Sequence, residues 1–320
     1  MTLPRPDAAP TTLTARTPED LLAAAAVVLG FWPTESVVML TLEARHRFHA
    51  RIDLPPDPND LDELSELAGA LVEPAVRHEA RRVVLLVYTD DDHLGAVAWR
   101  VLRRAFEGHH VEVVEAIRIS CDTWTPLLGP GRRGARAERG VPFSPTALTH
   151  HRFLADAVLA GRVTHASRAD LAASLGPDAA AVSAILAVGQ PRPVGTARWA
   201  AAVTASHLAA DTRLDDADTA RLLETMRATA ARDAVWRALE KAPAASGVRL
   251  LTDLVRRSPD RWLPAPAALL GWAAWQAGDG ALAWCAIDRC REVAPEYPLA
   301  ALVAAALESA LPPSSWQHGA

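Results

Sequence analysis

LGFWPTESVVML, residues 29–40, is the stretch on which the fold turns. It joins an apolar, alanine-rich run to a strand-like run through a polar corner. Upstream, Thr17-Pro18-Glu19-Asp20 carries the signals of a helix start: a threonine cap, proline at the first helical position and acids in the first turn. Gly30 suits the left-handed residue that ends such a helix, and Pro33 stops it continuing. Residues 36–42 and 48–54 read as two strands joined by the polar residues 43–47, a hairpin closed by Pro55-Pro56.

Beyond the hairpin the rhythm changes to alternating helix and strand. Residues 61–78 are amphipathic, with Leu61, Leu64, Leu67, Ala68 and Leu71 on one face. RVVLLVY, residues 82–88, is an almost unbroken apolar run, as a strand covered on both faces requires. A helix over 93–106 and a strand over 111–119 complete the order α-β-β-α-β-α-β, which predicts an α/β N-terminal half built on a small mixed sheet.

The expected organisation is a loose arm over 1–16, the α/β domain over 17–125, an arginine/glycine-rich loop over 126–149 and an all-α domain over 150–316. In the last, Leu270-Gly271, Ala274, Gly278, Ala283, Ile287, Cys290 and Pro295 fall at tetratricopeptide spacing, near 264–297. Small residues sit where two helices press together, Gly278-Asp279-Gly280 turns the chain, and Pro295 closes the second helix. One copy is evident, and a solenoid needs about three. The pair therefore reads as the end of a helical domain, with Trp272, Trp275 and Trp284 as packing anchors.

Composition narrows the function classes. The 320 residues carry a net charge of -5, which opposes attraction to nucleic acid or acidic membranes. The run over 21–31 is shorter than the ~20 apolar residues a membrane helix needs, and the polar N-terminus lacks the pattern of a signal peptide. The cytoplasm is the expected compartment. Cys121, Cys285 and Cys290 make no disulfide framework or CxxC, and no metal site or cofactor is expected.

LGFWPTESVVML, RIDLP at 51–55 and LLGWAAWQAGDGALAWCAIDRC at 269–290 together resemble the bacterial family known as domain of unknown function 4192. The resemblance runs from about residue 17 to Trp316. It implies a cytoplasmic protein of GC-rich Gram-positive bacteria and no particular activity. It also implies a cysteine-bearing stretch after the fourth strand. This chain departs from that, having GPGRRGARAERG at 129–140 with only Cys121 ahead of it.

Ligands of sheets with parallel strands sit beyond the carboxyl ends of those strands. Thr89-Asp90-Asp91-Asp92-His93 follows the third strand and Ser120-Cys121-Asp122 the fourth. If the strands are neighbours, Asp90 and Asp122 approach across a crevice suited to a divalent metal or to acid–base work. The plainer alternative makes Asp91 or Asp92 a helix cap. A second candidate is the corner itself, with Trp32, Thr34, Glu35 and Ser36 as a binding lip, against a purely structural turn. The adjacent pairs His109-His110 and His150-His151 point apart and do not form a two-ligand site. Arg132, Arg133, Arg136 and Arg139 offer contacts to phosphates, but arginine dominates the basic residues of this chain everywhere, with Lys241 its single lysine. The expected function is a non-enzymatic protein-interaction module, with a protein partner or self-association. The alternative is a small-ligand or metal-dependent enzyme with its crevice at Asp90 and Asp122.

Overall fold

The threonine-capped helix forms as α1, Pro18–Leu29. Thr17 Oγ1 accepts the Asp20 amide at 3.1 Å, and the Asp20 carboxylate accepts the Thr17 amide at 3.1 Å, a reciprocal capping box. Gly30 ends the helix at φ 75°, its amide donating to the Ala26 carbonyl. The computed structural model from which this is read describes residues 14–45, 48–129, 140–189 and 194–316. The arm expected over 1–16 lies outside the described residues as far as residue 13.

The chain divides into two compact units, Met1–Ser167 and Arg168–Ala320. In the first, α1 is followed by β1 (Ser36–Thr41), β2 (His49–Asp53), α2 (Leu61–Arg77), β3 (Arg82–Tyr88), α3 (Asp92–Gly108) and β4 (Glu112–Ile119), the order the sequence predicts. The sheet order is β2-β1-β3-β4-β5-β6. Two strands are additional: β5 (Thr123–Pro126), antiparallel to β4, and the two-residue β6 (Val141–Pro142). The segment over 126–149 is thus not all loop. It also holds the single-turn α4, Pro145–Leu148, while residues 130–139, with all four of the arginines named above, lie outside the described residues.

Side-chain alternation sorts the sheet into two covered faces. Val37 and Met39 of β1, Val83, Leu85 and Val87 of β3 and Ala116 of β4 join one core with α2 and α3. The intervening Val38, Val84, Leu86 and Ile117 are buried as well, which is why β3 reads as a continuous apolar run. A second core forms where α1 meets α5 (Arg152–Leu159), through Ala23, Ala24, Val27, Phe153, Leu154 and Ala157. That contact moves the division between the units to Ser167, beyond the 125–150 interval where the composition changes: α5 is helical but belongs to the α/β unit.

The second unit is helical throughout its described regular structure, from α6 (Arg168–Ala173) through α7 (Ala179–Ala187), α8 (Ala197–Ala210), α9 (Asp216–Thr225), α10 (Thr229–Leu239) and α11 (Ala244–Arg257) to α12 (Pro264–Gln276), α13 (Gly280–Val293) and α14 (Pro298–Glu308). α12 and α13 are the tetratricopeptide-like pair, joined at Gly278 with φ 77° and capped by Asp279. Every residue of α12 from Ala265 to Trp275 is buried, so the pair is the centre of this unit and α12 has no free face. Gly271 permits the closeness, since a Cβ there would lie 2.6 Å from Ile287 Cδ1. Trp272 and Trp275 are buried, whereas Trp284 is half-exposed. Trp316 packs against both Trp236 and Trp275, with ring centroids 5.3 and 5.8 Å apart. Among the described residues, no helix is long and apolar enough to cross a membrane.

Candidate ligand-binding cleft at one sheet edge

Strand direction decides what meets at the functional edge. β1 runs antiparallel to β3 with Ser36 opposite Tyr88, and β4 runs parallel to β3 with Tyr88 opposite Ile119. The amino end of β1 therefore lies beside the carboxyl ends of β3 and β4. The corner over 31–35 and the segments after β3 and β4, which read as two separate candidates along the sequence, border a single cleft of about 470 Å³.

Its rim is polar, with Thr34 and Glu35 from the corner, Thr89 and Asp90 after β3, and Ser120 and Cys121 after β4. Its walls are apolar: Leu22 of α1, Trp32, Tyr88, Ile119, and Phe143 and Leu148 from the segment following β6. Trp32 is half-buried because it also packs on the core between α1 and α5. The corner is held by a returning segment: the Trp32 amide donates to the His165 carbonyl at 3.1 Å, and the His165 amide to the Gly30 carbonyl at 2.8 Å.

Glu35 has φ 38°, in the left-handed region that costs a non-glycine residue about 1 kcal/mol or more. The other described non-glycine residues with positive φ, Glu79, His110, Asp211 and Ala310, all follow helix ends, where this conformation is routine. Glu35 alone among them sits at a strand start. Three contacts hold it there: the Thr89 hydroxyl donates to Oε2 at 2.9 Å, the Leu54 amide donates to the Glu35 carbonyl at 2.9 Å, and Arg51 donates to the Thr34 carbonyl at 3.3 Å.

The acidic residues divide by role. Asp91 is the cap of α3, accepting the amides of His93 and Leu94 at 2.7 and 3.0 Å. Asp92 pairs with Arg118. Asp90 lines the cleft and accepts the Cys121 amide at 2.9 Å and the Cys121 thiol at 3.3 and 3.2 Å. Asp122 does not join it in the cleft lining. The chain turns tightly after β4, with the Ser120 amide donating to the Thr123 carbonyl at 2.9 Å, which presents Cys121 to Asp90. What Asp122 contributes is its carbonyl, accepting the Phe143 amide at 2.8 Å. The expected Asp90–Asp122 pair is replaced by Asp90 and Glu35 on one rim.

Two hydroxyls behind the rim are buried without a protein partner among the described residues, those of Ser36 and Tyr88. Burial pushes the Tyr88 phenol above its ordinary range, so it is neutral. The Cys121 thiol is also raised, first by its hydrogen bond to Asp90 and then by that carboxylate's charge, so it is a thiol donor and not a thiolate. Among the described residues no three His, Cys, Asp or Glu side chains are grouped to hold a metal ion. His151 is engaged elsewhere: its Nε2 meets Asp20 at 3.0 Å and its Nδ1 accepts the Phe153 amide at 3.2 Å.

Tyr88, Phe143 and Leu148 are cleft residues that sequence reasoning missed. Tyr88 looks like the end of a core strand. Phe143 follows a strand of two residues and Leu148 ends a helix of four, elements too short to show any periodicity.

These features define an α/β unit with a small-molecule-sized cleft at its strand ends, on a chain whose second unit is helical. The chain belongs to the family described as domain of unknown function, DUF4192, whose family model matches residues 18–314. No curated protein and no solved structure matches it.

Proposed function

We propose that the α/β unit binds a small organic molecule in the cleft bordered by Trp32, Glu35, Asp90 and Phe143. The observation that carries this reading is convergence: polar residues from three separate segments ring an apolar cavity of about 470 Å³. Ligand sites of roughly 300–1,000 Å³ with apolar walls and a few placed polar groups have this composition. The strained Glu35 and the partnerless Tyr88 hydroxyl add to it, because uncompensated backbone and polar costs collect where a ligand repays them. Binding is favoured over turnover. The cleft's one thiol is held protonated, and neither histidine nor a metal cluster is among its described lining residues.

The test uses the neutral dye Nile red with the full chain. Emission should rise with one-to-one stoichiometry, and Thr146→Trp, placed at an exposed lining position, should remove the rise without lowering the melting temperature. Unchanged dye binding in that variant sinks the reading.

A second reading assigns the helical unit to a protein partner or to self-association. It is favoured by Leu186, Val194 and Leu302, 46, 55 and 47% exposed. Light scattering across a hundredfold concentration range tests self-association, and a constant monomer mass removes it. The cytoplasm is the compartment we propose, since Cys121, Cys285 and Cys290 are all free, as a reducing environment keeps them. Fractionation of the producing cells checks that placement.

A further inference from the structure

We infer that the molecule taken by this cleft is an organic cation, an ammonium group on a flat apolar body. The inference rests on the proposal that the cleft is a binding site, and it concerns the charge of what enters.

The lining supplies the argument. Glu35 and Asp90 both stand on the rim, and no lysine, arginine or histidine is among the described lining residues. The neighbouring guanidinium groups among the described residues are committed elsewhere. Arg51 lies 2.5 Å from Asp53 and donates to the Thr34 carbonyl, Arg118 pairs with Asp92, and Arg152 reaches Asp20 at 3.5 Å. Among the described residues, neither rim carboxylate is paired with a base. Each is instead held by a neutral donor, Thr89 for Glu35 and Cys121 for Asp90, which fixes its orientation. Among the described residues, no donor is bonded to Glu35 Oε1.

The second, independent observation is the wall. Trp32, Tyr88 and Phe143 put three aromatic side chains in the same cleft. Aromatic faces attract ammonium groups through the ring quadrupole, and carboxylates beside aromatic rings are the general means of holding organic ammonium ions. Tyr88 is 7% exposed, and its hydroxyl is buried with no protein partner among the described residues. An anion entering here meets two like charges across an apolar floor, where repulsion is less screened than in water.

The experiment is isothermal calorimetry of the full chain with three probes on one skeleton: tryptamine, tryptophol and indole-3-propionate. Tryptamine should bind at least tenfold more tightly than tryptophol, and indole-3-propionate should not bind detectably. The double variant Glu35→Gln/Asp90→Asn, checked for an unchanged circular dichroism spectrum, should bring the tryptamine-to-tryptophol ratio to within twofold. Three outcomes overturn the inference: indole-3-propionate binding as tightly as tryptamine, a ratio unaltered in the double variant, or no binding by any probe. The underlying proposal fails separately. If Thr146→Trp leaves tryptophol binding intact, the probes sit outside the cleft, whatever their charge preference.

Discussion

The Thr89 hydroxyl donates to Glu35 Oε2 at 2.9 Å, joining the end of β3 to the start of β1 across 54 positions of sequence. The same Thr89 oxygen accepts the Asp91 amide at 3.2 Å, so the bond links the strained corner to the cap of α3. Glu35 is exposed, so its fixed position brings little burial energy. What it provides is an oriented carboxylate on the rim.

Glu35→Gly separates those two roles. Glycine adopts φ 38° without the Cβ penalty of about 1 kcal/mol, which offsets the lost Thr89 bond of similar size. Urea unfolding should therefore show stability within about 1 kcal/mol of the parent, while binding of a cationic probe is lost. A loss of stability above about 2 kcal/mol would mean that the carboxylate is structural.

How much of this was legible in the sequence depended on the range of the interactions involved. Thr17, Gly30, Asp91 and Asp279 announce helix ends because capping is local, satisfied within three or four residues. β3 announces double-sided burial because every residue of RVVLLVY but the first is buried. The joining of the corner with Asp90 was not legible. It depends on β1 lying antiparallel between β2 and β3, a non-local pairing on which hydrophobic pattern is silent. With β1 parallel to β3, Glu35 would stand at the opposite edge. Asp122 is absent from the cleft lining for a local reason that was equally hidden. A four-residue strand, TWTP, turns the chain back after Ile119 and gives Asp90 to Cys121.

Gly271→Ala tests the helix pair. The added Cβ would lie 2.6 and 2.9 Å from Ile287 Cδ1 and Cγ1 and 3.3 Å from the Ala283 carbonyl oxygen. Ile287 is fully buried. Overpacking of this kind costs about 1–3 kcal/mol. Thermal unfolding should show that loss, and Ile287→Val, which removes Cδ1, should recover part of it in the double variant. Additive losses in the double variant would place the strain elsewhere.

Asp20 gives the first unit an acid-sensitive clasp. Burial alone would raise its carboxyl, but the Arg16 and Thr17 amides, His151 and the Arg152 charge outweigh burial and hold it below its ordinary range. A depressed carboxyl means that the unfolded chain binds the proton more readily. The stability it confers is therefore complete above the unfolded value of about 3.9 and declines as pH falls through the lower folded value. Asp20→Asn should be less stable than the parent at pH 7, and the gap measured by denaturant titration should narrow below about pH 4. A gap constant from pH 7 to pH 3 would contradict the clasp.

Cys121 reports on Asp90 without any ligand. The thiol is exposed and held protonated, because the Asp90 carboxylate accepts its hydrogen and repels the negative thiolate. Only the thiolate attacks an alkylating reagent, so the parent should react slowly with iodoacetamide near pH 8. Asp90→Asn removes the charge, lowers the thiol pKa and should speed alkylation of Cys121 several-fold, as followed by mass spectrometry of the intact chain. Cys285 and Cys290 are buried in the helical unit, and burial pushes Cys290 up to about 12, so neither should label in the folded protein and a single adduct reports one site. Equal alkylation rates in parent and variant would show that Asp90 does not govern the thiol. Its carboxylate would then lack the fixed geometry on which charge selection at the rim depends.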